Sequence, residues 1–354
     1  MELSKRKQRL RSVLMQYGLE SHRVKTYRSL YKKAAAYRVS TNKGTYCLKP
    51  FRGSSARLSG IYKRIAQLHA HHFRSLPRWI PAKNGKYWCS KGGRLYYVTE
   101  WIDGSELGHH EQDFQKLGAA LGRLHLITPS LKSGYPSYTA REVNRFWRHH
   151  RRFASHLQEL LRDESRISEW FQEHGAECLS LAEKSWSVIS QLGVQRMLRK
   201  EKPSIIHGDV TRPNVIVRSG SVYLVDWELA RPGSAYYEVA KTLNNITNFT
   251  VPHIKALLDG YESIRPLGRE ERMIVASLSR LPGSLGCGPA NPVRPSFDHI
   301  RGVEGDVGET IGDGGVAGQL GRFQAEASVF GPAGSGGGRG WPCRWSLALR
   351  KPIL

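Results

Sequence analysis

The stretch SIIHGDVTRPNVIVRSGSVYLVDWELA, residues 204–230, sets a histidine, two aspartates and an asparagine among Ile and Val runs that read as buried strand. Burying a carboxylate is costly unless something compensates it. In HGDVTRPN, Asp209 and Asn214 bracket a turn that contains Pro213, and Asp226 ends the strand that follows. A hairpin with its tip at Ser219-Gly220 would bring Asn214 and Asp226 to one end, beside Asp209. Alone, each of these residues reads as a turn cap or a strand end. In this order and spacing, carboxylate and amide oxygens form a hard-cation site suited to Mg²⁺, which completes its shell with water and substrate phosphates.

Upstream, AAYRVSTNKGTYCLKPF carries two β-rich runs around Asn42-Lys43-Gly44, and GKYWCSKGGRLYYVTEWI repeats the pattern around Lys91-Gly92-Gly93. Between them Leu58, Ile61, Ile65 and Leu68 recur at helical spacing, predicting a helix from Ser54 to His72. The first hundred residues thus read mainly as strands around one helix. After a connector at Asp103-Gly104-Ser105 the chain reads as helical: FQKLGAALGRLHLI, then 141–162, then 167–198, with further helices from 235 to 280. The expected fold class is α+β, with two lobes: a small strand-rich lobe over 1–102 and a larger, mainly helical lobe over 103–280.

From residue 281 the composition changes. The remainder, to 354, holds close to half of the 36 glycines, shows no sustained periodicity and contains one lysine, Lys351. Such a segment buries too little apolar surface to offset its ordering entropy. It reads either as a disordered tail or as the product of a coding frame lost near Pro282. Resequencing that preserves the frame would exclude the second.

The chain has 354 residues and a formal net charge of +24, which points toward anionic partners: nucleic acid, an anionic substrate or an acidic surface. Phe146, Trp147 and Phe153 lack the regular interleaving of a single-strand platform, so nucleic acid is not expected. No apolar run approaches the roughly 18 residues of a membrane span, and the N-terminus lacks a signal-peptide pattern. Cys47, Cys89, Cys178, Cys287 and Cys343 are odd in number and widely spaced, which fits a reducing cytoplasm. His69, His71, His72, His109 and His110 have no convincing set of ligand partners and read as surface residues.

The spacing of HGDVTRPN and VDWELA resembles the catalytic core of protein-kinase-like phosphotransferases. The central Gly of HGD, the DW pair and LGAALGRLH (117–125) are similar to the aminoglycoside phosphotransferase and choline kinase superfamily. Within it, YCLKPF, YYVTEWIDG and YYEVAKTLNN resemble spore-coat kinases of the CotS type, over about residues 20–280.

That resemblance implies ATP and Mg²⁺ as cofactors. Asp209 would be the general base, His207 would orient the catalytic loop and Arg212 would neutralise the transferring phosphoryl group. Asn214 and Asp226 would hold Mg²⁺, Lys49 would reach the α/β-phosphates, and Glu100, Trp101 and Ile102 would form the adenine-binding hinge. A small-molecule or protein acceptor, spore-coat protein partners, and a cytoplasmic or spore-coat location follow from the same resemblance.

Two departures stand against it. No Asp or Glu lies between Lys49 and Glu100, so the lysine lacks the helix glutamate expected to pair with it. The phosphate-covering turn near SLYKKAAAY has no glycine, although Lys32 and Lys33 can substitute as charges. Both gaps suit an alternative, an inactive pseudokinase serving as a coat scaffold. The cationic run REVNRFWRHHRRFASHLQ (141–158) argues for a non-cationic acceptor, since like charges repel.

Overall fold

The computed structural model describes residues 2–29, 32–127, 169–248 and 250–280, with isolated positions between 144 and 155. The expected helix over 141–162, apart from those positions, and the whole of 281–354 lie outside the described residues. So do Leu30 and Tyr31, at the expected phosphate-covering turn, and the side chains of Lys32 and Lys33.

The chain opens with a helix, α1 (Glu2–Gln16), where strands were expected. Leu10, Val13 and Leu14 recur at helical spacing and are buried together with Tyr17 against one face of the sheet that follows. The basic residues around them obscured that stripe. Strands β1 (Ser21–Ser29), β2 (Lys32–Thr41) and β3 (Gly44–Phe51) form an antiparallel meander. The β2–β3 turn falls at Asn42-Lys43, as the hairpin signature predicts.

Helix α2 (Ser55–Ala70) then crosses the opposite face, capped by Ser54, whose hydroxyl accepts from Arg57 N–H at 3.2 Å. Its buried stripe is Leu58, Ile61, Ile65 and Leu68, the four positions expected. Strands β4 (Cys89–Lys91) and β5 (Arg94–Glu100) complete a five-stranded sheet of order β1-β2-β3-β5-β4, turning through Gly92 and Gly93, both at positive φ.

The rest is mostly helical. The short β6 (Ser105–Glu106) leads into α3 (Glu111–His125), and α4 (Glu169–Ile189) and α5 (Leu192–Lys200) replace the single helix expected over 167–198. The opening stretch forms β7 (Ser204–Ile206), a 3-10 turn at Arg212–Asn214, and the hairpin of β8 (Val215–Arg218) and β9 (Ser221–Leu224). A second 3-10 turn, Trp227–Leu229, precedes β10 (Arg231–Gly233), which pairs with β7. Helices α6 (Ala235–Ile246), α7 (Val251–Glu262) and α8 (Arg269–Arg280) close the described chain.

Helices α3 and α7 cross with their backbones in contact. A Cβ at Gly118 would collide with the Leu257 carbonyl, and one at Gly260 with the Gln115 carbonyl. The glycine therefore serves close packing in LGAALGRLH. One apolar core, from Phe51 and α2 through Leu117, Leu121, Val215 and Tyr261, joins the sheet region to the helical part and takes in the β8–β9 hairpin.

Candidate active site

The β8–β9 hairpin does what its sequence predicts. Register pairs Val215 with Leu224, and Val225 N–H donates to the Asn214 carbonyl at 2.9 Å. Asn214 and Asp226 thereby leave the hairpin at the same end. The Asn214 amide N–H₂ donates to both the Asp209 carbonyl, at 2.9 Å, and Asp209 Oδ2, at 3.1 Å. Only the nitrogen end can meet two oxygens, so the amide oxygen faces the other way.

Asp226 adopts φ 65°, ψ 58°, a left-handed conformation that costs a non-glycine residue about 1–3 kcal/mol and concentrates at functional sites. Its neighbour Trp227 holds it there: the indole N–H donates to the Leu224 carbonyl at 2.7 Å and the ring meets His207 edge-on at 4.6 Å.

His207 is fully buried. Its Nδ1 accepts the Asp209 N–H at 3.2 Å, which requires the proton on Nε2, and that nitrogen donates to the Val225 carbonyl at 2.9 Å. Burial pushes its pKa down, outweighing the carboxylates around it, so the neutral ring is the stable form. The histidine thus ties the Asp209 backbone to the strand end that carries Asp226.

Gly208 supplies φ +82°, and a Cβ there would lie 2.6 Å from the Leu229 carbonyl, so only glycine fits the middle of HGD. Beneath it, Glu238 of α6 accepts the His207 N–H at 2.9 Å and the Gly208 N–H at 2.5 Å. Burial would push Glu238 up, but hydrogen bonding and charge from His125, then the loop, hold it below its ordinary value. His125 Nε2 lies 3.0 Å from Glu238, and its Nδ1 meets the Tyr261 hydroxyl, which accepts from Arg265. Arg265, Tyr261, His125 and Glu238 thus form one hydrogen-bonded chain that ends on the HGD loop. Sequence reasoning missed Glu238 and His125; both stand in quoted motifs, YYEVAKTLNN and LGRLH, but only tertiary contact shows their use.

Lys49 has the carboxylates it was expected to lack. Its Nζ lies 2.5 Å from Asp226 Oδ1 and 3.4 Å from Glu228 Oε1. Burial alone would push the ammonium pKa down; the two carboxylates more than offset this and raise it. Tyr97, opposite Lys49 in the β3–β5 register, donates its hydroxyl to the same Glu228 oxygen at 3.1 Å. Burial, then the negative charge of Glu228, hold Tyr97 well above the ordinary tyrosine range, so it remains a donor. Its ring stacks on Trp79 at 4.5 Å. Arg57, at the start of α2, donates to the Glu228 carbonyl at 3.3 Å. The helix that lacks a glutamate therefore contacts the very turn that supplies one.

Glu100, Trp101 and Ile102 sit at the exit of β5. Glu100 N–H donates to the Arg78 carbonyl and Trp101 N–H to the Thr45 carbonyl. Ile102 is buried. Arg212, expected to neutralise the transferring phosphoryl group, is held by backbone carbonyls. Its guanidinium donates to the carbonyls of Leu107, at 3.2 Å, and Gly108, at 3.1 Å, and lies over the Phe114 ring. It anchors the catalytic loop to the segment before α3. Among the described residues, Lys241 is a cation beside Asp209, its Nζ 3.8 Å from Oδ1.

The donor set fits a hard divalent cation. Asp226 offers a carboxylate and Asn214 an amide oxygen turned away from Asp209. Among the described residues no group of three or more His, Cys, Asp or Glu is arranged to hold an ion unaided. A cation at this site therefore draws on phosphate and water as well. His69, His71, His72, His109 and His110 are exposed.

A strand-borne buried lysine facing a hairpin with Asp209, Asn214 and Asp226 defines a kinase-like phosphotransferase. Comparison with known proteins agrees: the model of the phosphotransferase enzyme family (APH) matches residues 32–273, and the chain belongs to that family. It is an enzyme of the kinase type.

The homoserine kinase of Methylobacillus flagellatus is 24% identical over 247 residues, covering 66% of this chain and 69% of the relative. That of Sinorhizobium medicae is 26% identical over 214 residues, covering 58% and 59%. An aminoglycoside phosphotransferase from Alicyclobacillus acidocaldarius superposes with a TM-score of 0.67 at 17% identity, over 90% of this chain and 94% of that one. At that identity the likeness shows the fold. No described helix is long and apolar enough to cross a membrane.

Proposed function

We propose that this enzyme transfers a phosphoryl group from ATP to the hydroxyl of a small, non-cationic acceptor. The observation that carries the reading is the convergence of Lys49, Asp226 and Glu228 from distant parts of the chain beside the Asp209–Asn214 pair. Lys49 orients the nucleotide phosphates, and Glu228, held by Tyr97, positions Lys49. Asn214 and Asp226 would hold Mg²⁺, which neutralises phosphate charge when bound. Asp209 accepts the proton of the attacking hydroxyl, a contribution of about 10²–10⁴-fold. His207 and Glu238 fix the loop that aims it. The backbone of Glu100–Ile102 receives adenine.

Solved relatives support the cofactors: one spectinomycin phosphotransferase holds ADP and an amicoumacin kinase holds AMP-PNP with Ca²⁺. An association with spore-coat assembly, and a cytoplasmic or coat location, belong to this proposal and rest on the CotS-like motifs alone. The inactive-scaffold alternative loses one of the two features that favoured it, because Lys49 is paired; the glycine-less turn lies outside the described residues.

The test is ADP release from Mg-ATP across a panel of hydroxylated acceptors, with Asp209→Asn as control. An acceptor-dependent rate that falls by about 10² or more in the variant agrees with the proposal. A rate untouched by the substitution contradicts it.

A further inference from the structure

Lys241 stands in the YYEVAKTLNN motif without any of the roles above, yet its ammonium lies beside the Asp209 carboxylate. It projects from α6 one turn after Glu238. Its Nζ donates to the Gly208 carbonyl at 2.7 Å and stands 3.8 Å from Asp209 Oδ1, with the two side chains 20% and 37% exposed. An ammonium carries three donors, so after Gly208 two remain for other groups.

The two carboxylate oxygens of Asp209 are divided between neighbours. Oδ2 receives the Asn214 amide. Oδ1 is the oxygen nearer Lys241. Lys241 therefore stands by the carboxylate oxygen that Asn214 leaves open, anchored through the Gly208 carbonyl. The next turn of the helix is also tied down, because Asn245 donates to the Val210 carbonyl at 3.0 Å.

We infer that Lys241 binds an anionic group of the acceptor, a carboxylate or phosphate a few atoms from the hydroxyl that Asp209 activates. A hydroxyl on Oδ1 and an anion on Nζ, each at about 2.8 Å, are bridged by about one to three carbons. An acceptor ammonium at the same spacing would lie against a fixed ammonium. The inference rests on the phosphotransfer reading of the site.

Two probes with the same primary hydroxyl test it: γ-hydroxybutyrate, which ends in a carboxylate, and aminobutanol, which ends in an ammonium. ADP release from Mg-ATP, and melting in Mg-ADP with each probe, are measured for wild type, Lys241→Arg, Lys241→Gln and Lys241→Glu. The expected wild-type result is a preference for the carboxylate probe of about tenfold or more, in rate or in stabilisation. Lys241→Arg keeps it, Lys241→Gln abolishes it and Lys241→Glu reverses it, while the KM for ATP is unchanged.

A variant that only loosened the loop would lower kcat for both probes alike and leave their ratio intact, which overturns the inference. Equal use of the two probes by the wild type, or no response to the carboxylate probe while Mg-ADP binds, overturns it too. Failure of the wild type to bind Mg-nucleotide is a separate result and counts against the phosphotransfer reading itself.

Discussion

Lys49 and Glu228 meet at 3.4 Å, the lysine from the third strand and the glutamate two residues beyond Asp226. The pair replaces an ion pair that the sequence of α2 cannot make. Glu228→Gln keeps shape and removes charge. A hydrogen bond to a charged group contributes about 1.5–3 kcal/mol, so KM for ATP should rise about 10- to 150-fold, at roughly 1.4 kcal/mol per tenfold. Tyr97→Phe removes one neutral donor, about 1 kcal/mol, and should raise it about fivefold. Steady-state kinetics at varied ATP decides; wild-type KM in both variants would disconnect Glu228 from the nucleotide.

Glu238 and His207 predict how stability depends on pH. Both have folded pKa values below their unfolded ones, so the unfolded chain binds more protons as pH falls. The histidine contribution is complete above about pH 6.5 and declines below it, and the glutamate contribution follows below about pH 4.5. Melting temperature should therefore fall steadily on acidification from neutrality. His207→Asn, whose amide oxygen can still accept the Asp209 N–H, should flatten the slope just below pH 6.5. An unchanged slope would place the acid sensitivity elsewhere.

Removing Glu238 outright leaves the His207 and Gly208 N–H groups and His125 buried without an acceptor. Breaking such a buried set costs about 3–5 kcal/mol. Glu238→Ala should lower the melting temperature by roughly 6–20 °C, at about 2–4 °C per kcal/mol. Calorimetry of the purified variant measures it, and a drop of under about 2 °C would show the loop supported by other means.

The α3–α7 crossing predicts an effect far from the chemistry. Gly118→Ala and Gly260→Ala each force a methyl onto a facing backbone carbonyl. Overpacking of this kind costs about 1–3 kcal/mol, so each should melt lower while KM for ATP stays at the wild-type value. Exposed Gly193, whose Cβ would meet open space, is the control position for alanine.

Sequence was most informative where local chemistry is dense. The hairpin at Ser219-Gly220, the buried stripe of α2, and the convergence of Asp209, Asn214 and Asp226 all follow from turn residues and periodicity. Helix α1 was not legible, because Lys and Arg crowd a stripe of three apolar residues. Glu228, Tyr97 and Lys241 were legible as residues but not as partners. Lys49 reaches Glu228 only because β3 pairs with β5 and the chain returns beneath them, and no local pattern encodes that contact. Arg212 sat in the right loop, where two carbonyls before α3 claim its guanidinium.

The central claim is that Mg-ATP binds between Lys49 and the Asn214–Asp226 pair. Thermal melting of the wild type and Asp226→Ala, with and without Mg-ATP, tests it most directly. Ligand at about 100 times its Kd should add roughly 2.7 kcal/mol, a shift of about 5–10 °C. The account predicts that shift in the wild type, dependent on the metal and absent from Asp226→Ala. A folded wild type that melts at the same temperature with and without Mg-ATP would contradict it.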